Sequence, residues 1–119
     1  MKSRISNQLE ERFLQFGVSV IRLTQDQKEK LPFSVIDQVI RSATSIGANY
    51  SEAQNASSKA DFKNKIYIAK KEASETRYWL LLISELLATE SADNQLKEVQ
   101  EILLILQKTI NTLNQKAPK

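Results

Sequence analysis

Asp61-Phe62-Lys63-Asn64-Lys65-Ile66-Tyr67-Ile68-Ala69-Lys70-Lys71-Glu72-Ala73-Ser74-Glu75-Thr76-Arg77-Tyr78-Trp79-Leu80-Leu81-Leu82-Ile83-Ser84-Glu85-Leu86-Leu87 contains neither glycine nor proline. Within it Phe62, Ile66, Ala69, Ala73, Thr76, Leu80, Ile83 and Leu87 recur at alternating steps of four and three. That period places them on one face of a helix, because a helix returns to the same side every 3.6 residues. A strand would need alternation at every second residue, which is absent here. Ser58, with Asp61 three residues later, resembles a capping box and marks the start of this helix.

The same period extends outward on both sides. Leu9, Phe13, Phe16, Val20 and Leu23 form one stripe before it, interrupted by Gly17. Pro32 suits the first turn of a second helix, where its missing N–H would have had no partner. Ile36, Val39, Ile40, Ala43, Ile46, Tyr50 and Ala53 carry that helix's stripe. After the polar break Thr89–Asp93, with Ser91 as the expected N-cap, Leu96, Val99, Leu103, Leu106, Ile110 and Leu113 form a fourth stripe. Gln115–Lys119 reads as a frayed tail. Four amphipathic helices, at about residues 7–27, 33–54, 59–88 and 92–114, are joined by short polar loops. Such helices become antiparallel neighbours around one core. The expected fold is all-α, an up-down-up-down four-helix bundle in a single domain over residues 1–119.

Composition narrows the chemistry. Among 119 residues there is no histidine and no cysteine, which excludes zinc fingers, iron–sulfur sites, thiol catalysis and histidine-based triads. No metal or cofactor is expected, and no catalytic residue stands out, so an enzyme is the least favoured reading. The N-terminus, Met1-Lys2-Ser3-Arg4-Ile5-Ser6, lacks the apolar run of a secretory signal. The longest apolar runs, Tyr78–Ile83 and Ile102–Leu106, are far short of a membrane span, so a cytoplasmic protein is expected.

Three surface features carry what functional information the residues hold. First, Tyr78–Ile83 and Ile102–Leu106 are apolar around the whole helix circumference. A helix in a single bundle has one side in water, so the surplus at Trp79, Leu81, Leu82, Leu104 and Ile105 reads as a self-association surface. The alternative is that Leu81 and Leu104 are scattered surface leucines. Second, Arg41, Ser45, Asn49 and Glu52 share a face of the second helix, and Glu72 and Glu75 lie beside the core stripe of the third. Antiparallel folding brings Arg41 level with Glu72, and with no nucleophile, metal set or phosphate loop nearby, these five charged and amide residues read as architecture. Third, Lys59, Lys63, Tyr67, Lys70 and Arg77 fall in one narrow sector of the third helix, about 110° around from the core stripe. Residues 59–77 hold six basic and three acidic side chains, a surplus equal to the whole chain's net charge of +3. Cations with an interleaved tyrosine can follow a phosphate backbone, although a solvated helix face has the same composition.

These residues resemble the four-helix-bundle family encoded by intervening sequences in large-subunit ribosomal RNA genes. The resemblance runs through Gln38-Val39-Ile40-Arg41-Ser42-Ala43, Ser45-Ile46-Gly47-Ala48-Asn49-Tyr50-Ser51-Glu52-Ala53, Asp61-Phe62, Ile68-Ala69 and Glu72-Ala73-Ser74-Glu75-Thr76. The family's usual phrase is Ser-Ile-Pro-Ala-Asn-Ile-Ala-Glu-Gly; this chain has Gly47 for the proline, Tyr50 for the isoleucine and Ala53 for the glycine. The resemblance implies a bundle that assembles as a ring-shaped homopentamer, and it supplies no catalytic residues. A similar protein, the accessory factor of diversity-generating retroelements, binds nucleic acid and a reverse transcriptase through a basic surface. The expected partners are therefore further copies of the chain and RNA or DNA. The alternative is a protein–protein interaction scaffold with no nucleic-acid role.

Overall fold

The computed structural model describes residues 3–115. The tail expected beyond Gln115 lies outside the described residues, as does the start of the N-terminal stretch. Four helices run in order: α1 (Arg4–Asp26), α2 (Phe33–Ala53), α3 (Lys59–Leu87) and α4 (Asp93–Leu113), with one 3-10 turn at Lys28–Lys30. Each packs on its neighbour in the chain, most tightly α2 on α3, and α1 closes more loosely on α4. The result is an up-down bundle about 56 Å long and 22–23 Å across, with no strand among the described residues.

The periodic residues meet along the bundle axis. Phe13, Phe16 and Val20, Val39, Ala43 and Ile46, and Ile66, Ala69, Ala73, Leu80 and Ile83 are all buried. Each of the larger side chains contributes roughly 1.5–3 kcal/mol by leaving water. Two of the buried polar residues pair with each other: the hydroxyls of Thr76 and Ser42 hydrogen-bond across the α2–α3 contact at 2.9 Å, fully buried. A paired hydroxyl avoids the desolvation penalty and fixes which turn of α2 meets which turn of α3. Tyr50 sets its ring edge-on to Phe13 at 5.0 Å, and burial pushes its phenol above the ordinary tyrosine pKa, against a hydrogen bond with Ser6 that lowers it.

Element ends differ from the sequence expectation in physically readable ways. Helix α1 starts three residues early, at Arg4, because the Ser3 side chain accepts from the Ser6 N–H and caps it. Pro32 stands just before α2, and its carbonyl accepts from Val35 and Ile36. At α3 Ser58 accepts from the Asp61 N–H, while the Asp61 carboxylate reaches Ser57 instead of returning to Ser58. Ser91 does not cap α4. Its N–H is held by the Thr89 hydroxyl, and the cap position falls to the buried Ala92. The stripe of α4 also shifts: Ile102 is fully buried where Leu103 was expected, and Leu96 and Leu103 sit half-buried at its shoulder.

Candidate nucleic-acid interface

The α3 cations line the outer side of the seam with α4. Lys59 is exposed, Lys63, Lys70 and Arg77 are half-buried along their stems, and Tyr67 is 42% exposed. Long basic side chains commonly lay their methylenes on apolar surface and hold the charge in water. Tyr67 is tied to α4 by a hydrogen bond from Asn114 to its hydroxyl at 3.4 Å. Lys59 and Lys63 border a shallow hollow with Thr112 and Leu113 at the end of α4. None of the four cations makes an ion pair with a described residue.

Three other cations among the described residues are engaged in ion pairs. Arg12 of α1 forms a two-pronged pair with Glu98 of α4, both contacts at 2.8 Å, and this hydrogen bonding raises the guanidinium pKa against the opposing effect of burial. Lys65 reaches Glu52 of α2 at 2.9 Å. Arg41 bridges Glu72, at 2.9 Å, and Glu75, whose carboxylate also accepts from the Trp79 indole at 3.2 Å. The bond to Glu75 is the main cause of the raised Arg41 pKa. The polar stripe on α2 therefore faces α3, in the register expected from its spacing. Asn49 turns back to the Ser45 carbonyl of its own helix at 2.8 Å.

The apolar residues proposed from sequence as one band are spread over several sides of the bundle. Trp79, Leu82 and Ile105 are half-buried and pack on the chain's own core, so much of their apolar surface is used within one bundle. Leu81 is 41% exposed and continues the sector of the basic row, and Leu104 is 67% exposed on α4. Sequence reading overlooked an apolar groove of about 530 Å³ between α1 and α2, lined by Leu14, Val18, Ile21, Gly17, Gly47 and Ala48 among others. Leu14 stands 57% exposed there.

The model of the 23S rRNA-intervening sequence protein family matches residues 6–112. The chain belongs to that family. A solved structure from Bacteroides thetaiotaomicron, a protein of unknown function from the S23 ribosomal protein family, is similar at 36% identity, with a TM-score of 0.76. The likeness covers 85% of this chain and 96% of that one. No curated protein matches, and neither match extends to the retroelement accessory factor.

Two of this intervening-sequence protein's departures from the family phrase have a visible setting. Gly47 lies inside α2 where a Cβ would meet Phe13 at 3.5 Å, an ordinary contact that neither demands nor forbids glycine. Tyr50, three residues on, fills the space beside the same Phe13 ring. The α4 side of the basic seam was also missed. Gln100, Gln107, Asn111 and Asn114 are spaced seven, four and three, a helical repeat of carboxamides that was present in the sequence.

Proposed function

We propose that this family member is a non-enzymatic cytoplasmic homo-oligomer, a pentamer, that binds RNA or DNA through the α3 row. The observation carrying the reading is that four cations without an acidic partner among the described residues, Lys59, Lys63, Lys70 and Arg77, fall in line along one seam. Unpaired cations in a line address phosphates, and repetition around a ring multiplies the effective affinity of a weak single face. Exposed apolar groups on unlike sides, Leu14 beside the groove and Leu104 on α4, support head-to-tail contact, the kind that closes into a ring. The family's name, which refers to intervening sequences of 23S rRNA, is compatible with an RNA ligand.

Fluorescence anisotropy with labelled oligonucleotides tests this. Four phosphate contacts to a single strand predict a roughly 50-fold loss of affinity between 50 and 200 mM salt. Lys63→Glu combined with Lys70→Glu should abolish binding and leave helicity and oligomer mass unchanged. Binding that survives the double change, or ignores salt, rejects this face. Absence of binding by the parent at low salt favours the second reading, a protein–protein scaffold, which the exposed Leu14 and Phe33 (81% exposed) support.

A further inference from the structure

The cationic row has a second half on α4. The Tyr67–Asn114 hydrogen bond sets the two helices side by side, and α4 carries Gln100, Gln107 and Asn111, with Asn114 as its C-cap, at spacings that keep them on the side of that contact. Three of these amides are exposed and Gln107 is half-buried. The carboxylates of both helices are committed elsewhere along this length. Asp61 accepts from the Ser57 N–H, Glu72 and Glu75 hold Arg41, Glu98 holds Arg12, and Glu101 acts on that same guanidinium. From Lys59 to Arg77 the seam therefore offers cations on one edge, carboxamides on the other and no acid between them.

The amides keep bonding capacity. Gln107 donates to the Asn111 carbonyl oxygen at 2.9 Å, which leaves the Asn111 amino group and the Gln107 oxygen available. Asn114 uses its amino group on Tyr67 and retains its oxygen. A carboxamide offers both a donor and an acceptor, the pair that matches a base edge, adenine above all, whereas a phosphate only accepts. Duplex edges are poorly reached from here. The major groove is roughly 12 Å wide, and the seam is a flat two-helix surface on a bundle 22–23 Å across. Unpaired bases can turn out to meet it.

Resting on the nucleic-acid reading above, we propose that the α3–α4 seam takes single-stranded nucleic acid, its phosphates along Lys59, Lys63, Lys70 and Arg77 and its unpaired bases on the α4 carboxamides. Adenine-bearing strands are the preferred class.

The test compares a single-stranded oligoadenylate with an abasic strand of the same length and charge, and with the corresponding adenine–uracil duplex. The parent protein should bind the oligoadenylate about tenfold more tightly than either, the size of one good donor–acceptor pair. Gln107→Ala with Asn111→Ala should erase that advantage while leaving the salt slope, the helicity and the affinity for the abasic strand unchanged. Asn111→Asp alone, a change of one atom in shape, should weaken every strand by adding charge beside the phosphates. Equal binding of oligoadenylate and abasic strand overturns this proposal and leaves the basic row standing. So does an undiminished adenine preference in the double variant. A parent protein that binds none of the three probes at low salt overturns both.

Discussion

Ala88 closes α3 in the left-handed region, at φ 53° and ψ 33°, and its N–H is bonded to the Ser84 carbonyl at 3.0 Å. It is the one non-glycine residue with positive φ among those described. An L-residue with a β-carbon there carries a local cost of roughly 1 kcal/mol, since the β-carbon crowds the following carbonyl. Glycine at this position should relieve it. Ala88→Gly is expected to raise stability by about 0.5–1 kcal/mol, read as a higher urea midpoint with an unchanged slope. A lower midpoint would show that the extra chain entropy of glycine outweighs the strain. Glu72 presents the opposite case: a carboxylate only 8% exposed, tolerated because Arg41 faces it.

Between elements, the α2–α3 contact is held in register by the buried Ser42–Thr76 pair and by Arg41 across Glu72 and Glu75, with the more exposed Lys65–Glu52 pair beside them. Arg41 is itself half exposed, so its Coulombic contribution is screened, but removing it leaves Glu72 beside the core without its cation. Arg41→Ala should therefore cost about 1–2 kcal/mol, mostly as the penalty of an unpaired, nearly buried carboxylate. Glu75→Gln should cost less, because Glu75 is more exposed and the amide can still accept from Trp79. Thermal denaturation followed by circular dichroism compares the two. Equal, negligible shifts would mean that both carboxylates are fully hydrated in solution.

At the scale of the molecule, the bundle leaves Leu14 and the neighbouring groove on its α1–α2 side, and Leu104 on α4. Exposed apolar groups on unlike sides suit a contact in which one copy's surface meets a different surface of the next. Light scattering coupled to size exclusion should give a mass several times 13.6 kDa. Leu14→Arg should lower it toward the monomer without loss of helix, since Leu14 is not part of the buried core. A monomeric parent at micromolar concentration would reject the oligomer.

What was legible in the residues was whatever had a period. Charged and polar residues interrupt α2 and most of α3, so the apolar positions Val39, Ala43, Ile46, Ile66, Ala69 and Ala73 could lie on only one face, and all are buried. The same arithmetic put Arg41 opposite Glu72, because loop length and antiparallel packing leave little freedom in level. Periodicity loses its power where it has no gaps. Ile102-Leu103-Leu104-Ile105-Leu106 fits a stripe of any phase, and only packing against the neighbouring helices turned Ile102 and Leu106 inward, left Leu103 and Ile105 half-covered and put Leu104 in water. The seam was likewise half visible. The α3 cations declare themselves by charge, whereas neutral amides on α4 carry no such signal until Asn114 is found against Tyr67. Sequence alone determined the four helices, their order and the inward faces of α1, α2 and α3, because those depend on local propensity and burial. The phase of α4, the commitment of each carboxylate and the face that two helices share were decided by tertiary structure, because each depends on which side chains distant in the chain come within reach of one another.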